Sequence, residues 1–245
     1  MIGHKSEGFL PWKVSSDYDF YISYNDELAK IKHSTWGKEE NIGSSIGVIG
    51  DTASADLQQA LLSIGISADR FALSGECFKK IVENLECRDR EMNSLLEFVA
   101  SKEKVFLASN ILLEESVDGY LMLYKFLKSY SNIYVIGPFE FWKPTNISFA
   151  AINSKLTADE LFFDSLDTRI VAVENSLLNE VNKKNLISKY RLYCDLNIEK
   201  CSLYDNLGNP IFFDGIHHTV EGWHDYGLRL EKYFKSIQVD LIQSK

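Results

Sequence analysis

The sequence predicts an α/β fold, a doubly wound sheet of about five parallel strands with helices on both faces. Short continuous apolar runs bounded by turn residues recur along the chain, which is how buried parallel strands read. A longer helical pattern follows these runs, and strand alternating with helix is the signature of a parallel sheet covered on both sides. The 245 residues, 45% of them hydrophobic, can fill the core of one large α/β domain or two small ones.

The strands are expected at Ile46-Gly-Val-Ile49, Arg70-Phe-Ala-Leu73, Val105-Phe-Leu-Ala108, Ile133-Tyr-Val-Ile136 and, more weakly, Tyr190-Arg-Leu-Tyr193. Between them, Ala55 to Leu62, Glu91 to Val99 and Val117 to Leu127 place Leu, Phe and Val at helical spacing. From Asn146 to Leu186 the pattern is mostly helical and holds no convincing strand, and a last long helix runs from Gly222 to Phe234. Residues 1–44 scatter Trp12, Tyr18, Phe20, Tyr21, Ile22 and Trp36 among polar residues without a period. They are read as an extension packed on one domain formed by residues 45–245.

Thirty-five acidic against 26 basic residues give a formal charge of −9, which argues against nucleic acid as a partner. Lys79-Lys80 and Lys183-Lys184 are pairs on solvated faces, not a basic patch. No run approaches the ~18 apolar residues that cross a bilayer, and the start MIGHKSEGF lacks the apolar core of a signal peptide. As given, the chain is expected to be soluble.

The four cysteines form two close pairs, Cys77 with Cys87 and Cys194 with Cys201. The grouping suggests two local disulfide clips; metal binding is the rival, but neither pair has the C-x-x-C spacing of a zinc knuckle. Four unpaired, buried thiols are the third reading. If the clips form, the protein folds in an oxidising compartment, and the chain is a fragment of a larger exported or membrane-anchored protein. A complete chain without a signal would instead be cytoplasmic.

Two segments could carry chemistry. In Val48-Ile-Gly-Asp-Thr-Ala-Ser-Ala-Asp-Leu57 an apolar strand runs through a Gly-Asp-Thr turn directly into a helix. A hydroxyl there sits at the carboxyl end of a strand, where open α/β sheets bind ligands, and beside free helical N–H groups that can stabilise an oxyanion. Helix capping by Thr52 or Ser54 is the plainer alternative. In Phe213-Asp-Gly-Ile-His-His-Thr-Val-Glu-Gly222 the three-residue spacing lets the Asp214 carboxylate accept the His217 Nδ1–H and leave Nε2 outward as a general base. Alternatively Asp214 caps the last helix, or His218 or His224 is the functional ring.

Taken together, Gly50-Asp51-Thr52 at a strand-turn-helix and Asp214-x-x-His217 followed by Thr219-x-x-Gly222 before the last helix resemble the first and last motif blocks of the Ser-Gly-Asn-His (SGNH, GDSL-like) hydrolase superfamily. The resemblance implies a flavodoxin-like three-layer sandwich from about Ser45 to Phe234. It implies a nucleophile at Thr52, where the family has serine, and His217 as the base oriented by Asp214. The middle blocks supply a glycine N–H and an asparagine amide to the oxyanion hole, and Gly75 after the second strand and Asn110 after the third match them. No metal or organic cofactor is implied.

One branch fits best. Leu192-Tyr-Cys194, Cys201 and Gly208-Asn-Pro-Ile-Phe-Phe-Asp-Gly-Ile-His217 look like the tail of the extracytoplasmic domains fused to membrane acyltransferases that O-acetylate bacterial surface polysaccharides. The likeness implies acyl transfer to, or ester cleavage from, a carbohydrate or acylated small-molecule substrate, with a membrane acyltransferase domain as partner. Thr52 departs from the pattern, because its extra methyl restricts χ1 and crowds the attacking oxygen. The rival class is a catalytically degenerate domain that binds a glycan or a partner.

Overall fold

The computed structural model describes residues 43–73, 85–109, 114–139, 169–202, 204–207, 211–212, 218–237 and 239, with the side chains of 85–91, 114–116 and 220 left aside. Within these residues the order is β1 (Ile46–Gly50), α1 (Thr52–Ser63), β2 (Asp69–Ala72), α2 (Leu85–Ala100), β3 (Lys104–Ala108), α3 (Glu114–Leu127), β4 (Asn132–Ile136), α4 (Arg169–Glu180), β5 (Leu186–Ile187), α5 (Lys189–Tyr193), β6 (Cys194–Asp195), β7 (Lys200–Cys201) and α6 (Val220–Ser236). Five parallel strands form one sheet in the order β2-β1-β3-β4-β5, the flavodoxin-like arrangement.

Alternation along the strands feeds two cores. Ile46, Val48, Phe106, Tyr134 and Ile187 point to the layer formed by α1, α5 and α6, where Leu57, Leu61, Tyr190, Tyr226 and Phe234 meet them. Ile49, Val105, Leu107, Ile133 and Val135 point the other way, against α2, α3 and α4 through Leu95, Val99, Tyr120, Leu123, Val173 and Leu177. Phe106 stacks on Tyr134 at 5.2 Å, and Phe234 meets both rings edge-on, seating α6 on the sheet.

The fifth strand differs from the sequence expectation. Tyr190 to Tyr193 are helical, and the strand is the two-residue segment Leu186–Ile187 just before them. Tyr190 and Tyr193 are both buried, at the three-residue spacing of a helix face, so an aromatic run that suits a strand serves a helix here. Two residues are too few to display a period, which is why β5 was not legible.

Cys194 and Cys201 form a disulfide and also face each other in the β6–β7 hairpin, so this clip is present. Cys77 and the side chain of Cys87 lie outside the described residues. Among those residues, no helix is long and apolar enough to cross a membrane.

Two buried polar features set the stability of the frame. Lys102 pairs with Asp69, both almost sealed from solvent, and the two side chains also tie down the Ser44 backbone. Lys102→Met is expected to cost about 3–5 kcal/mol by leaving the Asp69 charge uncompensated in the interior. Adding Asp69→Leu should recover most of the loss in urea titrations. The phenols of Tyr120, Tyr193 and Tyr226 are fully buried, and burial is the largest cause that raises each of them above the ordinary 10.0. The unfolded chain then releases these protons at a pH where the folded one retains them. The stability they contribute is whole below about pH 10 and falls as pH rises, by up to about 1.4 kcal/mol per pH unit for each tyrosine. Tm followed from pH ~8 to ~12 checks the sign; a flat profile would refute it.

Candidate functional site

A single residue, Asp51, turns the chain from β1 into α1. The turn is this tight because Gly50 adopts φ +146° and passes against β3, where a Cβ would stand 1.8 Å from the Ala108 carbonyl oxygen. Asp51 is the N-cap: its Oδ1 accepts from Ala53 N at 3.0 Å, and its Oδ2 accepts from the Ser109 hydroxyl at 2.7 Å. That corrects the capping alternative for Thr52 and Ser54. An aspartate directly before a helical run is a favoured cap, and this was the signal available in the sequence.

Thr52 is therefore the first helical residue, half-buried, at the carboxyl end of the strand from which the sheet order departs in both directions. This is the switch point at which such sheets bind ligands. Ser54 is fully buried; its hydroxyl donates to the Asp51 carbonyl at 2.6 Å and accepts from Arg70 Nε at 2.8 Å. It is committed to the turn and sealed from solvent. Arg70 also donates to the Asp51 carbonyl at 3.1 Å. Burial pulls its guanidinium below the ordinary value, while the charges of Asp51 and Asp56 oppose that pull. Reading Arg70 only as a strand residue missed this buried cation behind the turn, since its partners, Asp51 in the turn and Ser54 on α1, are 16 or more residues away in the chain.

The carboxyl ends of the three neighbouring strands are in register, Gly50 opposite Ala72 on one side and Ala108 on the other. Leu73 N donates to the Gly50 carbonyl at 3.0 Å, and Ser109 holds Asp51, so the chains leaving β2 and β3 start beside the Thr52 turn. Gly75 and Asn110 follow within two residues of these points and lie outside the described residues.

The second motif segment is closed at its base. Phe212 bridges His218 in antiparallel fashion, and Thr219 N donates to the Ile211 carbonyl at 2.9 Å, so both ends of 213–217 are fastened together. Asp214 and His217 fall within 213–217 and are outside the described residues. Thr219 is the N-cap of α6, accepting from Gly222 N at 2.9 Å, which removes that duty from Asp214. Gly222 lies so close to the loop that a Cβ would stand 1.9 Å from the Ile211 oxygen. Thr219-x-x-Gly222 is thus a cap and a close approach.

The alternative rings are structural. His218 is 0% exposed, shares a hydrogen bond with the Tyr193 hydroxyl at 2.9 Å and stacks on Tyr226 at 4.7 Å. Its ring is enclosed by these aromatic neighbours and Asp56. The exposed His224 contacts the Ser63 carbonyl at 3.2 Å, at the far end of α1 from Thr52, about 16 Å along the helix. Among the described residues no group of three or more His, Cys, Asp or Glu side chains is arranged to hold a metal ion.

No family model matches the chain, and no curated protein does. Among solved structures, the periplasmic domain of a Salmonella ser. Paratyphi A lipopolysaccharide acetyltransferase superposes with a TM-score of 0.63, covering 91% of this chain and 98% of that one at 19% identity. A Streptococcus pneumoniae protein described as a platelet activating factor matches at a TM-score of 0.44 and 12% identity, over 88% of this chain and 95% of that one. The first likeness extends the shared fold over almost the whole of both chains.

Proposed function

We propose that this chain is an O-acyl, most simply O-acetyl, transferase or esterase domain acting on a carbohydrate. Thr52 attacks the acyl carbonyl as His217 takes its proton, the bond from the acyl carbon to the donor's leaving group breaks, and His217 gives that group the proton. A sugar hydroxyl or water deprotonated by His217 then takes the acyl group and frees Thr52, while Asp214 holds the His217 tautomer. The N–H groups at Thr52 and Gly75 and the Asn110 amide receive the oxyanion. One observation carries this reading: Gly50-Asp51-Thr52 sets a hydroxyl residue at the first helical position, at the switch point of a β2-β1-β3-β4-β5 sheet, with Asp51 already serving as cap. The fold shared with an acetyltransferase periplasmic domain supports it, and so does the Asp-x-x-His spacing beyond Phe212.

The Cys194–Cys201 disulfide supports an extracytoplasmic setting, as a domain of a larger membrane-anchored protein. Peptide mapping under non-reducing conditions should recover this pair intact, and the Cys77–Cys87 pair as well; four free thiols would overturn the compartment. Incubation with p-nitrophenyl acetate tests the chemistry. Turnover that disappears in His217→Ala is the expected result, and none at any pH in the parent favours the rival glycan-binding or interaction module. The Thr52 methyl is the observation behind that rival.

A further inference from the structure

One turn into α1 the helix buries a carboxylate that the proposed reaction does not use. Asp56 is 1% exposed and follows Thr52 by four residues, so the two lie on one face of the helix, one turn apart. The surrounding layer is apolar, with Leu57, Ala60 and Leu61 packed towards α6, where Gly227 lets the helices close until a Cβ would stand 2.4 Å from the Ala60 oxygen. A leucine or alanine would suit that interface. A buried carboxylate is tolerated there only with partners, and those partners are specific.

Asp56 Oδ1 accepts from the Trp223 indole N–H at 3.0 Å. Its Oδ2 faces the His218 backbone N–H at 3.4 Å and the His218 ring Nδ1 at 3.5 Å. The Tyr193 hydroxyl holds the opposite ring nitrogen, Tyr226 stacks on the ring in parallel, and the Arg229 guanidinium covers Tyr193 at 4.8 Å. His218 is therefore fixed from several sides, and His217 is one peptide unit away, about 3.8 Å between Cα atoms.

We infer that Asp56 is a positioning residue, a carboxylate that clamps the helix carrying Thr52 to the chain segment carrying His217 by way of the His218 backbone and ring and the Trp223 indole. The inference rests on the proposed roles of Thr52 and His217. Two reacting groups on separate elements keep their separation only if something rigid spans the elements, and a displacement of about 1 Å can cost about a hundredfold in rate. Asp56 spans them from a position one helical turn beyond Thr52 on the same face. Trp223 extends the clamp to α6, so helix, loop and last helix share one carboxylate.

The test uses the full chain with Asp56→Asn, Trp223→Phe and the double variant. Asparagine can still accept from the indole but turns an N–H group towards the His218 backbone N–H. Phenylalanine fills much of the ring space and loses only the donor, so it keeps the test alive if Asp56→Asn fails to fold. Measured well below each variant's Tm, kcat for p-nitrophenyl acetate is expected to fall about 10- to 100-fold with KM within about twofold. The double variant should be no worse than Asp56→Asn alone, because both changes cut one clamp. Hydrogen–deuterium exchange over 211–219 should quicken in both single variants while exchange in β3 and α3 stays at the parental rate. Parental kcat, or exchange that quickens uniformly or not at all, overturns the inference. Should the parent itself have no turnover, or Thr52→Ala leave it intact, the proposed reaction fails on its own account, and the exchange pattern alone decides whether the clamp exists.

Discussion

Thr52→Ala is expected to abolish acyl-enzyme formation and lower turnover by about a thousandfold or more, on the order of 4 kcal/mol of transition-state stabilisation. The substitution removes the only atom proposed to bond to the acyl carbon and leaves the fold intact, because the α1 cap belongs to Asp51. Thr52→Ser separates nucleophile from methyl. A threonine hydroxyl is a competent nucleophile when a base faces it, but its methyl restricts χ1 and crowds the path of attack. Serine at this position should retain or raise activity. Intact-protein mass spectrometry after incubation with p-nitrophenyl acetate reads the acyl adduct directly, beside the release of p-nitrophenol. If the site is degenerate, the parent is silent and Thr52→Ser creates the activity. Full turnover in Thr52→Ala would remove Thr52 from the mechanism.

Gly50→Ala is expected to cost about 3–5 kcal/mol of stability, as much as Lys102→Met. Two penalties coincide at this residue: φ of +146°, which side chains rarely adopt, and a Cβ 1.8 Å from the backbone oxygen of Ala108. That oxygen is part of β3 and cannot swing aside as a side chain would. Gly65→Ala is the control, since Gly65 has φ +79° and open space around its Cβ position. It should cost only about 1 kcal/mol. Urea titration of both variants separates strain from collision, and equal losses would mean that the close approach of β1 to β3 is not needed. Because Gly50 opens the turn that presents Thr52, a folded remnant of Gly50→Ala should also lose turnover.

The layered α/β architecture was legible because its signals are local. Ile46 to Ile49, Val105 to Ala108 and Ile133 to Ile136 are apolar runs of strand length, and each is a buried strand in the sheet. Helical spacing within 55–62 and 117–127 likewise falls inside α1 and α3. The weak run Tyr190 to Tyr193 failed for the complementary reason: aromatic content is shared by strands and buried helix faces, and only contact with Phe139, Phe212 and Tyr226 tells them apart.

By itself the sequence determined the strand-turn-helix at Gly50-Asp51-Thr52, the spacing of Asp214 and His217 and the close Cys194–Cys201 pair. Each depends on residues close in the chain, where turn chemistry and periodicity leave few options. Tertiary structure decided the rest. It assigned the cap to Asp51 over Thr52 or Ser54, buried His218 completely, and joined Arg70 to the Thr52 turn and Asp56 to His218 and Trp223. These roles depend on partners up to 167 residues away, and a buried polar group is defined by which distant donor or acceptor offsets its lost hydration. No local pattern encodes that partner.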